Sequence, residues 1–447
     1  MINIMNQSNN KRNIIIRESS VQSFDRLKLI IFISLFFSFL SGVLYYFSNV
    51  WILKVIMIVP LILLLGYAVI ATISRYKDDS IKRNLQEFCE RSELLKKDTD
   101  TDHKTITAKF KYWKEKNYYF IEYFARASNK ISIEDFPKRL VEVLEDNSNK
   151  PWILLECSVT RTSLIMKFTH EAEKRMVIDS DYHFKNNEGF VIKISSRVHW
   201  DLKKASSAVA LGVTGSGKTN FIKYLILKFL ELQSKNEVYV IDGKSAFLYS
   251  TKSFNIDGHT VSSPEDAIIM LDSITNIMNQ RYAKMNENPE DERDITYLDK
   301  FPNNGSILLV IDELLALMAL VLSDDKLRKP VERLGPQISS KILNLVVRGR
   351  QANIFCFLSG QTLSAEILST AVRSNLGFRL VLGGVSPTQS MEMFNVGLSS
   401  LPKPSGEPYS GYYWLDGMEM PMPFLQPYVA SGFRFKSELR KLSERAA

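Results

Sequence analysis

Two long apolar runs dominate the first part of the chain: Leu29–Phe47 (LIIFISLFFSFLSGVLYYF) and Val55–Ile73 (VIMIVPLILLLGYAVIATI) carry no charged residue. At a rise of about 1.5 Å per residue each would span about 28 Å as a helix, close to the hydrocarbon thickness of a bilayer. Only Ser48 to Lys54 separates them, which predicts a transmembrane helical hairpin over residues 29–74. Lys11, Arg12, Arg17, Arg26 and Lys28 precede the first run, and Arg75, Lys77, Lys82 and Arg83 follow the second, whereas Lys54 is the single cation between. The excess of cations outside the hairpin predicts a multi-pass protein of the cell membrane with both termini in the cytoplasm. A cleaved leader fits poorly, because the first run starts late, is long and is followed by another.

The remaining pattern divides into further segments. Residues 1–28 are rich in Asn, Ser and Ile and read as a flexible cytosolic lead. Residues 75–102 read as a charged amphipathic helix, Asp79 to Lys97, followed by the polar linker Asp98-Thr99-Asp100-Thr101-Asp102. Alternating strands at Thr105–Trp113, Tyr118–Ala125, Trp152–Ser158 and Ser163–Thr169, with a helix at Ile133–Leu144, predict a small α/β docking or oligomerisation domain over 103–195. Its aromatic cluster (Trp113, Tyr118, Tyr119, Phe120, Tyr123, Phe124) is expected to be mostly core. From residue 196 to 435 apolar strands alternate with helices, the signature of a mostly parallel sheet covered on both faces. The expected strands are Ser207–Leu211, Glu237–Ile241, Ile307–Ile311, Asn353–Leu358 and Phe378–Leu382. Ser263-Pro264-Glu265-Asp266 should open a helix, with a capping serine, a first-turn proline and two acids at the positive end of the helix dipole. The basic tail, 436–447, reads as a short helix from Lys436 to Arg445.

The chemistry is concentrated in the second half. Gly212-Val213-Thr214-Gly215-Ser216-Gly217-Lys218-Thr219 is a complete G-x-x-x-x-G-K-[ST] phosphate-binding loop, with Asn220 directly after it. Glycines allow backbone N–H groups to turn inward around phosphates where a Cβ would crowd them. Lys218 can reach phosphate oxygens and the Thr219 hydroxyl is placed to ligate Mg²⁺, so ATP and Mg²⁺ are the expected ligands. The loop lies between an apolar strand and the helical repeat Thr219–Leu232, the context it requires. A second apolar run, Ser306–Ile311, ends in Asp312-Glu313. A strand that presents acids at the carboxyl edge of such a sheet supplies a Mg²⁺ ligand, Asp312, and a water-activating base, Glu313.

Composition adds little that these motifs do not already imply. A formal charge of +8 over 447 residues fits a polyanionic partner, though the juxtamembrane cations account for part of it. Cys89, Cys157 and Cys356 are scattered and are expected to be reduced thiols in the cytosol. The five histidines form no metal-ligand spacing, which argues against a zinc enzyme.

Taken in order, Thr214–Thr219, Ile241-Asp242-Gly243-Lys244, Arg281-Tyr282, Val310–Glu313, Gly349-Arg350-Gln351-Ala352-Asn353-Ile354, Leu358-Ser359-Gly360-Gln361 and Asn375-Leu376-Gly377-Phe378-Arg379 resemble the FtsK/SpoIIIE motor domain of the HerA–FtsK ATPases. The similarity covers roughly Trp200 to Phe433. It implies a RecA-like P-loop α/β motor that forms a homo-hexameric ring and pulls DNA without reading its sequence. It also implies that Gln361 senses the γ-phosphate and that Arg379 serves a neighbouring subunit's nucleotide, with Arg348, Arg350 and Arg373 as competing candidates. Asp242 and Lys244 line the site or the pore, and Lys326, Arg328 and Lys329 lie in a charged loop without an assigned role. Two membrane helices, a short linker and no space for a C-terminal DNA-reading domain make the layout most similar to the TcpA-type coupling proteins of Gram-positive mobile elements. That resemblance implies relaxase and mating-channel partners. A translocase acting at division and a type VII-like protein-export ATPase are the alternatives.

Overall fold

A computed structural model describes residues 11–17, 80–92, 94, 107–124, 135–185, 189–287, 295–362 and 369–445. The hairpin expected over 29–74 lies outside them, and among the described residues no helix is long and apolar enough to cross a membrane. The chain forms two compact units, Met1–Glu171 and Ala172–Ala447.

The first unit is built on an antiparallel sheet of β1 (Arg12–Arg17), β2 (Thr107–Glu115), β3 (Tyr118–Phe124), β4 (Ile153–Val159) and β5 (Ser163–Thr169), in the order β1-β2-β3-β5-β4. Strand β1 departs from the expectation of a flexible lead. Its sequence RNIIIR alternates, so Ile14 and Ile16 are buried while Asn13 and Ile15 are exposed, and it pairs along β2. The helices at 80–91 and Asp135–Asp146 bury Leu85, Phe88, Phe136 and Leu140, with the Phe88 and Phe136 rings 4.8 Å apart edge to face. Of the aromatic cluster only Trp113 and Tyr123 are buried, Tyr119, Phe120 and Phe124 are half-buried and Tyr118 is exposed, so less of it is core than expected. Cys89, Cys157 and Cys356 are all buried and unbridged.

The second unit begins at Ala172, so residues 172–195, which the sequence pattern assigns to the small domain, belong structurally with the second unit. They carry β6 (Val177–Ile178) and β7 (Val191–Lys193), followed by β8 (His199–Asp201). Ile178, Ile192 and Ile194 are buried in the same apolar cluster as Phe221 and Leu225 of the helix Lys218–Leu232. The main sheet contains β9 (Ser207–Gly212), β10 (Glu237–Asp242), β11 (Thr260–Val261), β12 (Ile307–Asp312), β13 (Ile354–Gly360), β14 (Phe378–Leu382), β15 (Ser410–Leu415) and β16 (Met422–Leu425). Their order is β11-β10-β12-β13-β9-β14-β15-β16. The six strands from β11 to β14 run parallel, and β15 and β16 turn antiparallel. Every residue of β9, β12 and β13 is buried, as expected of central strands with helices on both faces. One face packs on the helix Lys218–Leu232, the other on Pro264–Asn286, Leu314–Asp325 and Leu334–Arg348. Ser263 caps the helix Pro264–Asn286 by accepting from the Asp266 N–H at 3.1 Å. The basic tail is also structured: the helix Phe435–Ser443 buries Phe435, Leu439 and Leu442 against the first of these faces.

Candidate nucleotide site

Register places the predicted chemistry along one edge of this sheet. Gly212 ends β9 opposite Leu382, and Asp312 ends β12 opposite Asp242 of β10. The carboxyl ends of parallel strands and the start of the helix after β9 therefore converge there, the usual ligand edge of an open α/β sheet. The loop has the backbone its glycines predict. Gly215 and Gly217 adopt φ of 86° and 94°, and the helix starts directly at Lys218 with its N–H groups facing the loop. A Cβ on Gly212 would lie 2.3 Å from Ser216 Oγ and 3.3 Å from the Leu382 carbonyl oxygen, so a side chain there would have to displace Ser216, whereas the space beside Gly215 is open.

A cavity of about 450 Å³ opens on this edge. Gly215, Gly217, Lys218, Thr219, Asn220 and both acids line it, together with Lys223, Lys244 and Tyr409. Lys218 is 8% exposed and its ammonium contacts Glu313 Oε1 directly, with Asp312 Oδ1 at 4.0 Å. Lys244 reaches the other oxygen of Glu313 at 3.1 Å. Asp312 accepts from Ser359 Oγ at 2.5 Å and from the Glu313 N–H at 3.0 Å. Burial pushes the Asp312 carboxyl above the usual range, outweighing its Ser359 and Lys218 contacts. Glu313 is also desolvated, but Lys218 and Lys244 together hold it below the usual range. Glu313 has φ +54° at the strand-to-helix junction, a left-handed backbone that costs a non-glycine residue on the order of 1 kcal/mol and aims its side chain at the two lysines. Asp242 also lines the cavity, as expected, and shapes its wall. It is 1% exposed and accepts from the Lys244, Ala246 and Tyr249 N–H groups at 3.1, 2.9 and 2.9 Å, shaping the turn that delivers Lys244.

The residues fit a Mg²⁺-nucleoside triphosphate. Ser216 Oγ is buried without a hydrogen-bond partner, beside an open glycine cradle at a helix N-terminus. Thr219 and Asp312 bring a hydroxyl and a carboxylate to the same cavity, the hard oxygen donors that Mg²⁺ takes.

Residues 171–365, which contain the loop, both acids and β9 to β13, match the FtsK/SpoIIIE family. The chain carries an FtsK/SpoIIIE domain. The FtsK domain-containing protein YdcQ of Bacillus subtilis (strain 168) is 24% identical over 340 residues, which cover 73% of this chain and 66% of YdcQ. DNA translocase FtsK of Helicobacter pylori (strain ATCC 700392 / 26695) is 26% identical over 188 residues, 40% of this chain and 20% of that protein. The chain therefore spans about two thirds of the first relative and a fifth of the second. Among solved structures, the pCW3 conjugation coupling protein TcpA in its monomer form with ATPγS has a TM-score of 0.50 at 19% identity, over 80% of this chain and 98% of that one. At that identity the likeness is one of fold, a P-loop ATPase α/β fold with a mixed sheet.

Of the remaining predicted residues, Gln361 and the candidate arginines are not among those that line the cavity. Gln361 directly follows β13, where its carbonyl accepts from Gln389 Nε2 at 3.1 Å, and it is not among the described residues that line the cavity. Arg379 lies near the start of β14, opposite Val209 and well before Gly212. Its guanidinium donates to the Leu376, Met393 and Arg373 carbonyls at 3.0, 3.1 and 3.2 Å and stacks on Trp414 at 4.8 Å. Arg348 is engaged by Asn344 and the Tyr282 ring, Arg373 donates to Thr370, and Arg350 is exposed. Asn220 lines the cavity, but its side-chain amide is spent on both backbone groups of Val429, at 2.9 and 2.7 Å. Sequence reading left Lys223, Ser359 and Tyr409 without a role. Ser359 lies inside a motif stretch and was accessible from its place beside β12. Tyr409 lies in a loop with no motif.

Proposed function

We propose that this chain is a membrane-anchored, ATP-driven DNA translocase that works as a homo-hexameric ring and couples DNA to a conjugation channel. The observation that carries the ATPase reading is the convergence of Lys218, Thr219, Asp312 and Glu313 on one cavity at the carboxyl edge of the sheet. DNA as the moving substrate is supported by the FtsK/SpoIIIE match over residues 171–365. The membrane anchor rests on the two apolar runs at 29–47 and 55–73.

In this reading Lys218 exchanges Glu313 for phosphate oxygens when ATP enters. Glu313 is then left with Lys244, which keeps it ionised and turned toward the cavity, ready to take a proton from the attacking water. Thr219 and Asp312 hold Mg²⁺, whose chemistry is to neutralise charge on the phosphates. Gln361 as γ-phosphate sensor and an arginine acting between subunits remain part of the proposal. Both would need neighbouring subunits or segments to bring them to the site.

The test is ATP hydrolysis by the full chain in detergent or membranes, with and without DNA of unrelated sequences, beside Lys218→Ala. Stimulation by any DNA, abolished in Lys218→Ala, supports the translocase. Hydrolysis indifferent to DNA removes the DNA reading and leaves a motor for another cargo, for example protein export.

A further inference from the structure

Lys218, Lys244, Asp312 and Glu313 make the cavity lining charged, and the only aromatic ring lining it among the described residues is Tyr409. That ring is held in place from several directions. Tyr409 has φ +51°, a left-handed backbone that a bulky side chain adopts only when its surroundings impose it. Its carbonyl accepts from the Gln426 N–H and from Arg175 Nη1, both at 2.9 Å. Arg175 also donates to the Pro408 and Gln426 carbonyls, at 2.5 and 2.7 Å, and so staples the 408–409 turn to the start of β17 (Tyr428–Val429). The Gln426 side chain donates to the Ser410 carbonyl at 2.8 Å. The ring itself lies against the phosphate loop, where a Cβ on Gly217 would come within 2.8 Å of Tyr409 Cδ1. Yet it stays 44% exposed, and Tyr428 packs beside it with ring centroids 6.0 Å apart. A strained, stapled aromatic ring with an open surface next to a triphosphate loop is a poor use of folding energy unless something stacks on it.

We propose that Tyr409 is the nucleobase platform of this site, stacking against the purine of a nucleoside triphosphate whose phosphates lie on the loop. This rests on the nucleotide reading above and assigns a role to the one aromatic lining residue that the phosphate motif leaves unexplained. Stacking is sequence-tolerant and needs only a π-face, so Tyr409 supplies affinity for the base, while Arg175 and Gln426 act as positioning residues.

The decisive experiment measures equilibrium binding of ATP and, separately, of inorganic tripolyphosphate to the full chain in detergent. Wild type is compared with Tyr409→Phe, Tyr409→Ala and Lys218→Ala. Loss of a base-stacking ring weakens binding by about tenfold or more. Tyr409→Ala is therefore expected to lose that much for ATP and to bind tripolyphosphate like wild type, whereas Tyr409→Phe keeps both. Lys218→Ala weakens both ligands. If Tyr409→Ala binds ATP within twofold of wild type, or loses tripolyphosphate as severely as ATP, the platform is overturned while the nucleotide site stands. A wild-type chain that binds neither ligand overturns both.

Discussion

Glu313→Gln should separate nucleotide binding from hydrolysis in opposite directions. In the structure Lys218 and Glu313, 8% and 9% exposed, are ion-paired, and Lys244 shares Glu313 at 3.1 Å. ATP must therefore draw Lys218 away from a buried carboxylate before the phosphate loop can use it. A hydrogen bond to a charged group is worth about 1.5–3 kcal/mol net, and Lys244, at 45% exposure, replaces part of what Glu313 loses. The remaining obstacle is about 1–2 kcal/mol, so removing the charge with Gln should tighten ATP about fivefold to thirtyfold. The same change removes the water-activating base and should slow hydrolysis about a hundredfold or more. Calorimetric titration with Mg·ATP and a phosphate-release assay read the two effects separately. Lys244→Met supplies the control: it leaves Glu313 wholly to Lys218 and should weaken ATP binding, and that effect should vanish when combined with Glu313→Gln. Unchanged affinity in Glu313→Gln would sink the idea that this pair opposes binding. Hydrolysis within tenfold of wild type would remove Glu313 from the chemistry.

Two further outcomes follow from the same geometry. Arg379→Ala takes the guanidinium from the Leu376 and Met393 carbonyls and one of the donors from the Arg373 carbonyl, and should lower stability by about 2–4 kcal/mol, read as a drop in melting temperature; lost hydrolysis without that drop would instead favour a role at a neighbouring subunit. His259 is held down at about 4 by burial, stacked at 3.8 Å on Tyr239 with Glu237 Oε2 at 3.9 Å from Nε2 and Asp257 opposing the shift. Its folded value lies below the ordinary 6.5, so its stability contribution is complete above about pH 6.5 and is lost as pH falls toward about 4. Discounted for partial solvent access this is on the order of 2 kcal/mol, and the melting temperature of His259→Phe should fall less than that of wild type between pH 7.5 and 5.

The phosphate loop and the acid pair were legible in the sequence because each is a contiguous run whose geometry is fixed locally, by glycines in one case and by a buried strand end in the other. The five central strands were legible for the same reason, since a strand buried on both faces is apolar throughout. Strand β1 was missed because RNIIIR is too short to stand out from an Asn- and Ile-rich stretch, and its pairing with β2 crosses a long intervening sequence. Arg379 was recognisable as a motif position, but three carbonyls and Trp414, brought together by tertiary folding, decide what its guanidinium touches. Tyr409 and its staple could not have been found, because Arg175 and Gln426 are 251 residues apart and no local pattern links them.

That staple also explains why the second unit starts at Ala172 and not near residue 196. Glu173 accepts from Ser195 Oγ and from the Leu425 N–H, the latter at 3.0 Å, and so joins the segment before β7 to the end of β16. Strand β6 pairs in parallel with β17, Val177 opposite Tyr428. Asn220, in the first turn of the phosphate-loop helix, grips Val429 from the other side. The chain from 173 to 178 and the chain from 408 to 429 thus form one wall, and the nucleotide loop is fastened to it through Asn220 and Gly217. The core of an α/β motor can be drawn from the strands that carry its motifs. The side of the site away from those motifs depends on a short lead-in segment whose own sequence has no catalytic signature, so the functional boundary of the domain is set by hydrogen bonds to the loop at Tyr409 and lies upstream of the point where the repeating strand–helix pattern begins.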